Sequence, residues 1–212
     1  MKLLIASRNR HKIEEIRAIL NLPAVDLADI EAFPNLPEVV EDGHTFQSNA
    51  VKKAVTLALM ARVWTLADDS GLEVDALTGA PGVQSARYAG EPVNYEANNV
   101  KLLEALRDHE VRTARFRCVV ALASADGRAQ IVDGTCAGKI IHECRGTGGF
   151  GYDPLFVPDG YDQTFAEMDP SLKNQLSHRA RALKQARELW GELLASAAPS
   201  WPSFRKPRPP RA

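Results

Sequence analysis

The stretch VWTLADDSGLEVDAL, residues 63–77, decides how the chain is read. Trp64, Leu66 and Ala67 lead into two adjacent carboxylates, Asp68 and Asp69, and Leu72 and Val74 follow Ser70 and Gly71. Like charges side by side repel, so a chain ordinarily separates them or leaves them in water. With apolar residues on both flanks the pair does not read as a solvated helix face. The segment reads as strand, loop, strand. Two readings of the acids stay open: an Asx-type turn, or a place where a metal ion, a water and an anion meet.

Outward from this stretch the elements alternate. KLLIA (2–6) is strand-like and stops at SRNR. HKIEEIRAIL (11–20) then has helical spacing, with Ile13, Ile16, Ile19 and Leu20 on one face. Pro-rich AFPNLPEVVEDG (32–43) reads as loop. Residues 45–62 read as a second helix with an apolar face through Phe46, Val51, Val55 and Leu59. GAPGVQSARYAG (79–90) carries too many turn residues for anything regular. Residues 94–107 read as a helix. ARFRCVVALAS and AQIVDGTCAGKII read as two long strands joined at Asp126-Gly127. GTGGFGYDP (146–154) is a glycine-rich loop. The segment from Asp169 onward reads as one helix, with Asp169 as N-cap and Pro170 at its first position.

These elements define an α/β protein: a mixed central sheet flanked by helices, in two lobes with an active-site cleft between them. Residues 1–197 form a single domain, and 198–212 are a Pro/Arg-rich tail expected to be disordered. With 212 residues, 45% hydrophobic and 25% charged, the chain can bury one good core. A net charge of −1 gives no broad attraction to nucleic acid or a membrane surface. Cys118, Cys136 and Cys144 have neither disulfide-framework nor CxxC zinc spacing, which suits reduced thiols in the cytoplasm. The four apolar residues after Lys2, Leu3 to Ala6, are too few for a signal peptide, and no apolar run approaches a membrane span.

Four places carry candidate chemistry. In SRNRHK a strand end meets a helix start, where free N–H groups and the helix dipole suit an anion, with Ser7, Asn9 and Lys12 as donors. The alternative is an ordinary cap and a solvated lysine. Glu41 and the Asp68/Asp69 pair could supply carboxylates to a divalent cation, and Lys53 could neutralise phosphate. Asp69 is placed to activate a water; a loop acid and a surface lysine are the plain alternative. In GGFGYDP, Phe150 or Tyr152 could stack on a flat ring and Asp153 could fix a neighbour, or the loop could simply be plugged by an aromatic. Ser177, His178 and Arg179, with Lys173 upstream, could read a heterocycle's edge or be a solvated helix face. Together they supply what a nucleoside triphosphate site needs.

Taken in order, ASRNRHK, EDGHTFQSNAVKKA, ADDSGLEVDALTGAPGVQSARYAG, GTGGFGYDPLFVP, TFAEM and LSHRARAL resemble the inosine triphosphate pyrophosphatases, also called XTP/dITP diphosphatases. The likeness runs from Leu3 to about Leu194. It implies Mg²⁺-dependent cleavage of ITP, dITP and XTP between the α and β phosphates, to monophosphate and pyrophosphate, by a cytoplasmic homodimer that binds neither nucleic acid nor membrane. It implies that Ser7, Arg8, Asn9, Arg10, His11 and Lys12 hold the triphosphate with help from Lys53. Glu41 and Asp69 would lie at the metal, with Asp69 as general base, Asp68 supporting it and Ser70 touching substrate. Phe150, Gly151, Tyr152 and Asp153 would form the base pocket, and Lys173, His178 and Arg179 would read the base edge. Arg8 and His11 depart from the family pattern, which favours small residues there. Pyrophosphohydrolysis of other modified nucleoside triphosphates is the alternative activity.

Overall fold

Leu3, Leu4 and Ile5 are wholly buried although they are consecutive. A strand achieves this only when both faces of its sheet are covered. In the computed structural model, which describes residues 1–196 and Trp201, β1 (Lys2–Ile5) lies between β2 (Asp26–Asp29) and β3 (Trp64–Val74), parallel to both. Beyond β3 the sheet turns antiparallel through β4 (Thr113–Ala123), β5 (Ala129–Ile140) and short β6 (Phe156–Pro158), in the order β2-β1-β3-β4-β5-β6. The sheet is therefore mixed, as expected. β2 and β6 were not legible, being four and three residues long.

Alternation along the strands sorts two apolar layers. Leu3, Ile5, Leu66, Val120 and Leu122 face α1 (Arg10–Leu20) and α5 (His178–Ala195). Leu4, Ala67, Val119 and Ala121 face α2 (Phe46–Ala61). A third cluster fills the far lobe, where Leu72, Val74 and Phe116 meet Leu102 of α3 (Tyr95–Ala105), Tyr152, Phe156 and Phe165. The cleft opens between the two ends.

The structure corrects several expectations. The acidic pair interrupts nothing: β3 is one strand of 11 residues, paired with β4 from Thr65↔Ala123 to Val74↔Ala114. Continuous pairing satisfies its backbone, and strand alternation separates the two carboxylates. The buried face of α2 runs through Phe46, Ala50, Ala54, Leu57 and Ala58, while Leu59 is 41% exposed. Alanines let the helix approach the sheet closely, so its larger valines sit at the flank. Residues Gly82–Arg87 form a 3-10 helix within the supposedly irregular segment. The C-terminal helix is two: α4 (Pro170–Leu176) ends at Ser177, whose extended backbone and side chain cap α5 by accepting from Ala180 N. Trp201 is buried against Trp64, so the expectation of a disordered tail fails there. Residues 197–200 and 202–212 lie outside the described residues.

Candidate active site

Twelve of the predicted site residues line one cleft: Asn9, Lys12, Glu41, Asp69, Ser70, Phe150, Gly151, Tyr152, Asp153, Lys173, His178 and Arg179. Ser7, Arg8 and Lys53 line an adjoining cavity that shares Asn9, Lys12 and Glu41 with it. Three others are elsewhere. Arg10 lies on the outer side of α1, beside Glu14 and Arg17. His11 stacks on Phe150. Asp68 is 1% exposed and lies behind the wall, held by cations.

One end of the cleft is built by the step from β1 to α1. Ser7 Oγ accepts from Asn9 N at 3.2 Å, and Asn9 Oδ1 caps the helix by accepting from Lys12 N at 3.3 Å. This fixes the first turn, so Lys12 reaches inward to Asp68 Oδ2 at 3.1 Å. Burial, the largest influence, depresses the Lys12 ammonium, but Asp68 and Asp69 act against it and the net shift of its pKa is upward. Lys12 is a fixed cation facing the cleft.

The adjacent acids have opposite environments. Asp68, on the face of Leu66, meets Lys12 and Arg179 Nη2, the latter at 3.1 Å. Burial would raise its carboxyl, yet Lys12 and Arg179 hold it well below the usual carboxylate range. Asp69, on the face of Ala67, accepts from Asn49 Nδ2 at 2.9 Å and from Ser70 N at 2.9 Å. Its pKa is raised, chiefly by burial, with Glu41 adding to the rise. One acid is a permanent counter-ion; the other is a stronger base than a free aspartate. Their mutual repulsion is therefore resolved within the protein, by Lys12 and Arg179, and does not depend on a bound ligand. Gly71 follows because a Cβ there would come within 2.5 Å of Gly82 O, in the 3-10 helix pressed against β3.

Asp69 and Glu41 both face the cleft, and Glu41 also pairs with Lys53. Among the described residues no three His, Cys, Asp or Glu side chains cluster as a metal cage. Two carboxylates in a cleft that Lys12 also lines are a donor set that fits Mg²⁺, which keeps most of its waters and needs few protein ligands.

The other end of the cleft hangs on the glycine-rich loop. Gly149 has φ +69° and its Cβ would meet Asp153 Oδ2 at 2.0 Å, so only glycine lets that carboxylate accept from Phe150 N at 2.8 Å. The same oxygen accepts from Lys173 Nζ at 2.7 Å. Lys173 and Arg179 stand 5.1 and 5.9 Å from the Phe150 ring centroid. His178 is buried flat against Phe116, 4.7 Å between centroids, and its Nδ1 has no partner. Burial first, then Arg179 and Lys173, holds its imidazole well below the usual range, so it is neutral.

Several residues of the site escaped the sequence reading. Glu15 accepts from Lys173 Nζ at 2.8 Å and from Arg179 Nη1, joining the two cations. Its signal was its place three residues after Lys12 on the same helix. Asn49, an amide between Phe46 and Ala50 on the buried face of α2, positions Asp69. Tyr95 accepts from Asn9 Nδ2 at 3.1 Å across the cleft, and nothing in its local sequence marked it.

The model of the Ham1 family matches residues 3–189. A dITP/XTP pyrophosphatase of Desulforamulus reducens is 52% identical over 197 residues, covering 91% of this chain and 97% of that protein. One from Geobacter sulfurreducens is 51% identical over 184 residues, covering 86% and 92%. The solved Ham1 protein of Coxiella burnetii superposes with a TM-score of 0.84 at 39% identity, over 91% of this chain and 99% of that one.

Proposed function

We infer that this chain, which belongs to the Ham1 family, hydrolyses deaminated purine nucleoside triphosphates, dITP and XTP and with them ITP. The reaction we propose is NTP + H₂O → NMP + pyrophosphate, which keeps these bases from polymerases. The observation that carries the base preference is the pair of cations, Lys173 and Arg179, beside the Phe150 ring. A 6-oxo purine offers them an acceptor oxygen, whereas adenine offers an amino donor that would face donors. Polar readout of this kind discriminates by about 10⁴ to 10⁵.

In the proposed reaction the triphosphate lies from Lys12 toward Ser7 and Lys53, and the base lies against Phe150. Glu41 and Asp69 would hold Mg²⁺. When bound, that ion supplies charge neutralisation for the phosphate oxygens. Asp69 takes the proton of the attacking water; its raised pKa supports this role, and Asn49 supports its orientation. Asp68 keeps Lys12 and Arg179 in place and touches no phosphate. We further propose a homodimer acting in the cytoplasm, free of nucleic acid. No helix among the described residues is long and apolar enough to cross a membrane.

The test is incubation with Mg²⁺ and, separately, ITP, XTP, GTP and ATP, with products resolved by chromatography and Asp69→Asn as control. Monophosphate and pyrophosphate from ITP and XTP, sparing of ATP and a dead control are expected. Orthophosphate and diphosphate as products, or equal turnover of ATP, would overturn the assignment.

A further inference from the structure

We propose that His11 is a positioning residue for Phe150: its ring backs the aromatic face on which the base stacks, and so sets affinity for the base. The inference rests on the reading above, in which Phe150 faces the base.

Phe150 needs such support. It lies in a loop outside every strand and helix, between Gly149 and Gly151, both with left-handed φ of +69° and +63°. Its amide is fastened to Asp153, but that bond leaves the ring free to turn about its own χ angles. A half-buried ring on such a loop loses side-chain freedom when a base stacks on it. A group that orients it beforehand lowers this cost.

His11 is placed to do so. From the first turn of α1 its ring lies 5.3 Å from that of Phe150, with planes 9° apart. This is an offset stack. The two sides of Phe150 differ. Lys173 and Arg179 lie over the ring and line the cleft with it. His11 is absent from the cleft lining and instead borders a second cavity with Phe150, Gly148, Gly149 and Lys173, so of the two cations Arg179 is the one that lines the cleft alone. Phe150 is thus a partition with His11 on the outer side and the cleft on the inner. Tyr95, tilted at 49° and 6.1 Å away, meets the same ring from α3. The helix that brings Asn9 and Lys12 to the phosphate end therefore also braces the base end. A phosphate role for His11 does not fit, since it lies outside the cavity that holds Ser7, Arg8, Asn9 and Lys12.

Steady-state kinetics with XTP and ITP on His11→Ala, His11→Gln and His11→Phe test this. The Gln variant keeps polar donors and loses the ring; the Phe variant keeps a flat ring and loses the donors. KM should rise about two- to tenfold in the Ala and Gln variants, kcat should hold, and His11→Phe should match the parent. Inorganic tripolyphosphate, which has no base, should inhibit all four proteins equally. Melting temperatures should agree, because His11 is exposed. An unchanged KM in His11→Ala would overturn the proposal, as would rescue by Gln instead of Phe, or weaker tripolyphosphate inhibition. A parent protein inactive on both substrates would instead overturn the functional reading, and this inference with it.

Discussion

Asn49 donates from Nδ2 to Asp69 Oδ2 at 2.9 Å while its Oδ1 accepts from Gly43 N at 2.7 Å. One amide thereby ties the strand that carries Asp69 to the loop that carries Glu41. Two consequences follow for Asn49→Ala. Asp69 loses its orientation, and kcat should fall about ten- to a hundredfold, as when a hydrogen-bonded partner that orients a functional side chain is removed. The hydrogen bond from Asn49 also lowers the Asp69 pKa against the rise caused by burial. Asp69 must be ionised to accept a proton, so activity fails as pH falls through its pKa. Removing Asn49 should therefore move the acid limb of the kcat/KM profile to higher pH. A limb that stays in place would show that Asp69 is not the titrating base.

Glu15 closes a chain of ion pairs running Lys12–Asp68–Arg179–Glu15–Lys173–Asp153. Three cations face three anions, and all but Lys12 and Glu15 are buried. Glu15→Gln leaves one positive charge in excess among them. Breaking a buried pair from one side costs about 3 kcal/mol, which in a chain of this size lowers the melting temperature by roughly 6–12 °C. Thermal unfolding checks this. Discrimination between XTP and ATP should also narrow, because Lys173 and Arg179 lose the carboxylate that joins them and keep only Asp153 and Asp68 as counter-ions. A variant with unchanged melting and unchanged discrimination would remove Glu15 from the site.

How much of this was legible depends on distance along the chain. Periodicity placed β1, α1, β4 and β5, and the caps Thr45 and Arg62 sat at the ends of the expected second helix. Twelve site residues met at one cleft because each came from a segment whose local chemistry was already unusual. The acidic pair was misread because its counter-charges are remote: Arg179 is 111 residues from Asp68. Without them the charges looked like loop. The strand alternation that separates them was present in LADDSGLEV, but apolar period and buried charge pointed in opposite directions. The α2 face failed for another reason. Alanine carries little hydrophobic signal, yet Ala50, Ala54 and Ala58 are wholly buried because their size sets the helix-to-sheet distance.

Trp201 yields a prediction that composition argued against. Its indole lies 4.9 Å from that of Trp64, tilted at 59°, and its Nε1 donates to Ser124 Oγ at 3.0 Å. Trp201 belongs to the same apolar cluster as Trp64 and Leu194. Trp201→Ala should cost about 3–5 kcal/mol through the cavity it opens. Urea unfolding measures this. Because Trp201 is outside the cleft lining, the rate per folded molecule should be unchanged. A stability equal to the parent's would mean that the indole does not dock in solution.

His178 makes stability depend on pH with a definite sign. Burial, Arg179 and Lys173 hold its folded pKa well below the ordinary value, while in the unfolded chain it titrates near ~6.5. Between these values the unfolded state binds the extra proton, so stability is full above about pH 6.5 and is lost as pH falls below it. From pH 7 to 5.5 the loss from this one group is about 1 kcal/mol. Asp69 and Asp153, whose folded pKa values are raised, act in the opposite sense at pH above their ordinary value. They are present in both parent and His178→Phe, so the comparison subtracts them. The Phe variant keeps a flat ring against Phe116 and has no proton to bind. Urea unfolding at the two pH values should therefore show a smaller decline for His178→Phe, by about 1 kcal/mol. An equal decline in both proteins would mean that the imidazole is protonated in the folded state, beside Arg179 and Lys173.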